Sequence, residues 1–347
     1  MSDASLSFSY LRIYRRRLVV VSFLALALGL SFLVDVATGP SVFPFGEVLR
    51  GFFDPSSLDR AKSVILWEVR LPYAIMAVLV GAALGLAGAE MQTVLNNPLA
   101  SPFTLGVSEA AAFGASLAIV FGLLLPAAIQ TIAVPLLAFL TAFGACLVIQ
   151  ALSRAFGAGA HAVILFGIAL VFVFKALIAL VQFVADADAL QQIVFWTMGS
   201  LGRTTWEQLA IVACVLAVCF PFSMRAVWMM TAMRTGEAQA MSLGIPVERL
   251  RLIVLFRVSV LAGVAVAFAG SIGFIGLVGP HIARLSLGED HRLYLPGSAL
   301  AGALILSVAS IASKALIPGI IIPIGIVTAL VGVPLFMALI VKQRHRL

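Results

Sequence analysis

Charge is scarce in this chain. Of its 347 residues only 11% are Asp, Glu, Lys or Arg, whereas 62% are hydrophobic. A water-soluble domain carries about 25% charged residues, so this composition excludes a protein that presents its whole surface to water. Cysteine is equally sparse. Cys146, Cys214 and Cys219 all lie within apolar runs, and an odd number without paired spacing offers neither a disulfide framework nor a metal site. None of the four lysines (Lys62, Lys175, Lys314, Lys342) follows a glycine. The G-x-x-x-x-G-K-[ST] loop whose amides and lysine cradle nucleotide phosphates is therefore missing, as is H-E-x-x-H.

What the chain has instead is apolar length. The mean hydropathy is +1.14, and runs of nearly 20 apolar residues recur along most of the sequence. That is the length of a transmembrane helix. The composition predicts an all-α, polytopic membrane protein of a single domain, residues 1–347. Ten crossings are expected, at about 17–36, 64–91, 103–122, 127–153, 160–184, 205–224, 252–271, from near 280, 295–316 and 322–341. Arg12, Arg15, Arg16 and Arg17 precede the first run. That run is too long for a signal peptide and no small-residue cleavage site follows it, so residues 1–16 are read as a basic cytoplasmic terminus. With this topology fifteen Lys and Arg fall on the side of the termini. Six fall opposite, at 50, 60, 62, 70, 203 and 314, and Lys175 lies within the membrane. The bias follows the positive-inside rule and places both termini in the cytoplasm. The net charge of +7 is explained by that bias and needs no nucleic acid.

The densest signal is Gly270 to Arg284, G-S-I-G-F-I-G-L-V-G-P-H-I-A-R, with Gly270, Gly273, Gly276 and Gly279 at every third position. In water each glycine would cost a helix about 1 kcal/mol relative to alanine. In a bilayer small residues allow helix backbones to touch, and interrupted backbone is tolerated where protein covers it or a cavity adjoins it. The stretch reads either as a packed, interrupted crossing or as an ordinary glycine-rich one. Ala87-Gly88 with Pro98 ten residues on echoes Ala269-Gly270 with Pro280. This suggests inverted repeats whose breaks meet at a transport path, or a chance likeness of two small-residue segments. Pro98 and Pro280 would each suit the first turn of a following helix.

Several strings together resemble one family. They are V-R-L-P (69–72), G-A-A-L-G-L-A-G (81–88), N-P-L-A-S-P (97–102), L-G-V-S (105–108), the 270–284 stretch, G-E-D-H-R (288–292) and P-I-G-I-V-T-A-L-V-G-V-P-L-F (323–336). In order and spacing they are similar to the FecCD/BtuC-type permeases of bacterial ABC importers for iron–siderophores, haem and vitamin B12. The resemblance implies a ten-helix subunit that pairs with a second permease copy, a separate ATP-binding subunit and a periplasmic or lipid-anchored substrate-binding protein. ATP and Mg²⁺ would sit on the ATPase, and this chain would bind no cofactor.

Residues 235–250 are the expected contact with the ATPase. Thr235 can cap a short helix, Gly244 can end it in a left-handed turn, and Pro246 can open a second short helix. Such a knob could be pushed by a partner, or the segment could rest on the bilayer. The resemblance makes it the coupling loop, with Thr235, Glu237, Ala238, Leu243, Gly244 and Pro246 as its residues. At the other membrane face the resemblance assigns Arg70 and Lys314 to docking of the binding protein. This sequence departs from the family pattern there, with Tyr73 for a second arginine, Ser310 for an aspartate four residues before the cation, and Ile321 for an acid. Lys314 also lacks the planar fork of arginine. Candidates for the translocation path are Glu109, Lys175, Asn97, Gly273, Gly276, Pro280 and His281. Glu90, Glu109 and Lys175 are ionisable residues within the membrane: they face the path, form a Glu–Lys pair, or set a carboxylate at the cytoplasmic interface. Gln92, Asn96 and Asn97 are expected to satisfy backbone at the break, and His281 to serve a helix start.

Overall fold

The computed structural model describes residues 3–40, 44–54, 58–122, 126–130, 132–155 and 160–344, and apart from one isolated bridge at Ile317–Ile320 its regular structure is helical throughout. The helices are α1 (Asp3–Ala37), α2 (Phe45–Phe53), α3 (Arg60–Val64), α4 (Leu71–Val94), α5 (Val107–Phe121), α6 (Ala127–Gln130), α7 (Ala133–Ala155) and α8 (Ala160–Val184). They continue with α9 (Ala187–Thr197), α10 (Trp206–Arg225), α11 (Val227–Met233), α12 (Glu237–Ser242), α13 (Val247–Ala269), α14 (Ile275–Leu287), α15 (His291–Ala315) and α16 (Ile324–Arg344). A π-helical turn, Ile65–Arg70, joins α3 to α4. Among the described residues, seven helices are long and apolar enough to cross a bilayer: α1, α3–α4, α7, α8, α10, α13 and α15. The other three expected crossings correspond to α5, α14 and α16.

Helix α4 is the axis of the bundle. It is buried along nearly its whole length, against α13, α14 and α15. Its sequence permits this because glycines stand where neighbouring backbones pass. A Cβ at Gly81 would lie 2.5 Å from the Gly302 carbonyl, one at Gly85 2.3 Å from that of Ser298, and one at Gly88 1.9 Å from that of Gly276. Backbone-to-backbone contact of this kind supplies the dispersion energy that a lipid-facing side chain does not.

Both proline breaks differ from expectation. Pro98 sits in a turn nine residues before α5, and residues 95–106 are irregular. Pro280 lies inside α14, because the chain reverses earlier, at Phe274, which adopts φ +68°. Proline has no N–H to donate to the carbonyl four residues back. Here that carbonyl, Gly276 O, accepts from Gln92 Nε2 at 3.4 Å. The Gly88 and Gly270 echo is not a structural correspondence either. Gly88 is in mid-helix, whereas Gly270 caps the end of α13 at φ +73°. The two broken regions nevertheless meet, since Gly276 packs against Leu84, Ser101 and Pro102. Trp196 is 3% exposed and packs in the core.

Candidate functional site

One end of the bundle carries the 235–250 segment. Helix α12 starts after Gly236 (φ +108°), not on a Thr235 cap. The Thr235 hydroxyl donates back to Ala232 O at 2.8 Å instead. Gly244 does take the left-handed conformation, at φ +80°. Pro246 precedes no second short helix: the next residue, Val247, opens the long α13. Ala240, Ile245 and Val247 are buried and anchor the turn, while Met241 and Leu243 are 57% and 55% exposed. Glu237 forms an ion pair with Arg251 of α13, and Arg234 pairs with Glu289 in the α14–α15 turn. Ala238 occupies the second position of α12.

Beneath this segment lies a buried polar layer that sequence reasoning did not assemble. His291 is fully buried and hydrogen-bonds Thr93 Oγ1 through Nε2 at 2.8 Å and Thr231 Oγ1 through Nδ1 at 3.2 Å. Arg284 donates to Gln92 Oε1 at 3.0 Å and to the Tyr294 hydroxyl at 3.2 Å. Its Nε is 3.5 Å from Glu289. His281, one turn earlier on α14, is half-buried and sits within the helix, not at its start.

Within the bundle Glu90 pairs with Arg257, not with Lys175. The guanidinium Nε donates to both carboxylate oxygens, at 3.0 and 2.9 Å, and a terminal nitrogen adds a third bond. Glu90 is 0% and Arg257 6% exposed. The topology expected from the sequence leaves Arg257 among the fifteen cations on the side of the termini, yet it lies in the middle of α13. Glu109 on α5 is half-buried and within electrostatic reach of Lys175, which is exposed on α8. Among the described residues the two form no direct ion pair. Asn97 Oδ1 accepts from Leu99 N at 2.9 Å, closing a local turn. Gly273 lines a cavity of about 400 Å³ with Phe103, Thr197, Met198, Phe274 and Leu330. The Phe103 and Phe274 rings are 6.3 Å apart there. No charged side chain lines this cavity. Gly276 and Pro280 are buried in helix packing and do not line it.

At the opposite end Arg70, Tyr73 and Lys314 surround one cavity of about 240 Å³, together with Gly39, Val69 and Ile321. Both cations lie below the surface. Arg70 is 5% exposed and donates to Val36 O and Ala37 O at 3.2 and 2.7 Å. Lys314, 6% exposed, is 2.5 Å from the Asp35 carboxylate, donates to the Asp35 carbonyl at 2.6 Å, and lies over the Tyr73 ring at 4.9 Å. The Ser310 hydroxyl donates to both Asp35 oxygens, at 2.7 and 2.8 Å. The acid that the family pattern places four residues before the cation is thus supplied from α1, and Ser310 holds it. Asp35 could have been suspected from sequence, because a carboxylate ending an apolar run needs a partner. Among the described residues, no cluster of three His, Cys, Asp or Glu is placed to hold a metal ion.

Comparison with known proteins agrees with this architecture. The chain is 35% identical to the hemin transport system permease protein HmuU of Yersinia pestis over 84% of this chain and 87% of that one. It is 33% identical to the molybdate import system permease protein MolB of Haemophilus influenzae over 88% and 89%. Its fold superposes on an inward-facing metal-chelate type ABC transporter with a TM-score of 0.81 and 31% identity, covering 93% of this chain and 99% of that one. The FecCD transport family profile matches residues 26–342. With an all-helical bundle, no nucleotide-binding loop and a family match over most of its length, this chain belongs to the FecCD transport family of ABC-importer permeases.

Proposed function

We propose that this chain is the membrane-spanning subunit of an ATP-driven importer in the bacterial inner membrane, and that it passes a metal chelate (an iron–siderophore, haem or a corrinoid) delivered by a binding protein. The observation that carries this reading is the 235–246 knob. Met241 and Leu243 stand exposed on a short helix whose base is fixed by buried Ala240, Ile245 and Val247 and by the Glu237–Arg251 pair. Exposed apolar side chains on a rigid, charge-anchored base suit contact with a protein groove better than a solvated loop. ATP and Mg²⁺ belong to the separate subunit that supplies this groove. The Lys and Arg bias assigns this end, with both termini, to the cytoplasm. The opposite end then faces the binding protein, which approaches Arg70 and Lys314 through their shared cavity.

The chelate reading rests on the uncharged, partly aromatic cavity at Gly273 and Phe274. A bare oxyanion such as molybdate needs several charged or convergent donors, and the side chains of this lining offer no cation and only the Thr197 and Ser271 hydroxyls, whereas the organic face of a chelate or macrocycle finds apolar and aromatic contact. A second permease copy, identical or homologous, would close the exposed faces of α8 and α16, where Phe172, Phe183, Leu330 and Val331 are 69%, 87%, 67% and 56% exposed. The test is ATP hydrolysis in nanodiscs by the chain purified with its ATP-binding partner. Binding protein loaded with ferric siderophore, haem, cobalamin or molybdate is added in turn. Stimulation by one of the first three is the expected result. Stimulation by molybdate alone refutes the chelate assignment, and failure to purify with any ATPase refutes the importer.

A further inference from the structure

Three consecutive residues of the last turn of α4 each bond to a different helix. Gln92 accepts from Arg284 of α14 at 3.0 Å. Thr93 bonds His291 of α15 at 2.8 Å. The Val94 carbonyl accepts from Arg251 Nε of α13 at 3.2 Å. Each of those partners is held in turn by the 231–237 segment. Arg284 reaches it through Glu289 and Arg234, His291 through Thr231, and Arg251 through Glu237. The segment's own contributions are spaced by three residues, at 231, 234 and 237, so three parallel lines run from it and converge on one helical turn. All three receivers are buried, at 1%, 1% and 0% exposure.

The same turn holds the irregular segment that follows. Asn96 N donates to Thr93 O at 3.1 Å and Asn97 N to Gln92 O at 3.1 Å. Asn96 there has φ +43°. The backbone of residues 92–94 thus anchors the 95–106 segment, while their side chains and the Val94 carbonyl meet the three lines. Residue Phe103 of that segment lines the 400 Å³ cavity against Phe274. We propose that Gln92, Thr93 and Val94 are the receiving end of a polar relay, with Arg251, His291 and the Arg284–Glu289 pair as its positioning residues, which carries movement of the 231–246 segment to residues 95–106 and so to the cavity wall. The proposal rests on the reading of that segment as the ATPase contact. A segment merely continuous with α13 would move α13 alone. The relay adds α4, α14 and α15, and converts a push at the surface into displacement of the break.

The test uses the chain in complex with its ATP-binding partner in nanodiscs, in a Cys214→Ser background that removes the exposed native thiol. Single reporters are Met241→Cys in the knob and Leu99→Cys in the break, positions that are 57% and 48% exposed. Each is labelled with a membrane-impermeant maleimide, with and without ATP plus orthovanadate. In the parent both labelling rates should change about fivefold or more, the lower edge of ordinary site-to-site coupling. In Gln92→Leu/Thr93→Val, which leaves the Glu237–Arg251 base of the knob in place, the knob should still respond while the break changes less than about twofold, a loss of coupling on that same scale. Thr93→Ser, which keeps the hydroxyl, should respond at both sites. A break that responds fully in the double variant overturns the relay and leaves the knob's contact with the ATPase intact. Loss at both sites places the effect in the knob itself and also overturns the relay. A knob silent in the parent overturns the ATPase contact on which the proposal rests. Monodispersity and co-purification of the double variant exclude a folding failure.

Discussion

Replacing Arg257 by methionine should be among the most damaging single changes in the bundle. Glu90 is fully buried, and its carboxylate has three hydrogen bonds from that one guanidinium. Removing one partner of a buried pair leaves an uncompensated charge and costs about 3–5 kcal/mol, which is roughly 150-fold to several-thousandfold in the folded-to-unfolded ratio. Arg257→Lys keeps the charge but cannot present two nitrogens in the plane of the carboxylate, so it should lose a smaller part of this. Glu90→Leu/Arg257→Met removes both charges, so it should recover most of the loss or exceed the parent. Reversible SDS titration of the purified chain in mixed micelles, followed by tryptophan fluorescence, gives the three free energies. Two results would refute the reasoning: Arg257→Met within about 1 kcal/mol of the parent, or a double variant no better than the worse single one.

At the opposite end, Asp35→Ser should destabilise by leaving buried Lys314 unpaired, and adding Ser310→Asp should restore much of the loss by returning an acid to the lysine's own helix. Detergent melting curves that show no rescue would mean that the α1 contact itself is required. Gly88→Ala should prevent close packing, since its methyl would meet Gly276 O at 1.9 Å. Gly144→Ala, with nothing within 4 Å, should be neutral or up to about 1 kcal/mol stabilising. Equal melting temperatures for the two would contradict the backbone contact. Gly244 combines φ +80° with open space around its Cβ, so any cost of substitution there is conformational, about 1–2 kcal/mol for an ordinary residue. Gly244→Asn should therefore retain ATPase co-purification better than Gly244→Val, and a reversed order would point to a steric contact instead.

Most of the helices were legible because each is set by local apolar length. The expected 160–184 run coincides with α8, and 205–224 lies one residue from α10. The polar constellations were not legible, because their partners are distant in sequence. Glu90 and Arg257 are 167 residues apart, Asp35 and Ser310 275, and Gln92 and Gly276 184. One sequence states that a charge inside the membrane needs a partner, and three-dimensional packing decides which one. Pro280 shows how local inference is overridden. Its place inside α14 requires another group to occupy the freed carbonyl, and the Gln92 side chain serves it, while only the Gln92 backbone holds Asn97 at its own break. In the loop Gly244 was legible, because glycine takes the left-handed conformation without the Cβ penalty of other residues. Thr235 was not legible, because its hydroxyl can cap the next helix or donate back, and it donates to the Ala232 carbonyl.

The glycine contacts along α4 have a mechanical meaning. At three levels between α4 and its neighbours there is no side-chain layer, Gly81 meeting Gly302, Gly85 meeting Ser298 and Gly88 meeting Gly276, and at a fourth point α14 and α15 touch in the same way, Gly279 against Gly302. A layer of leucines or methionines can shear by rotamer change, whereas two apposed backbones offer no such slack, and tightly packed interiors transmit strain. These three helices are therefore the stiff member of the bundle. Strain applied at one end of these helices is passed along them more directly than through a layer of flexible side chains. The freedom that transport requires must then reside in what surrounds them, the irregular 95–106 segment and the loosely covered faces of α8 and α16.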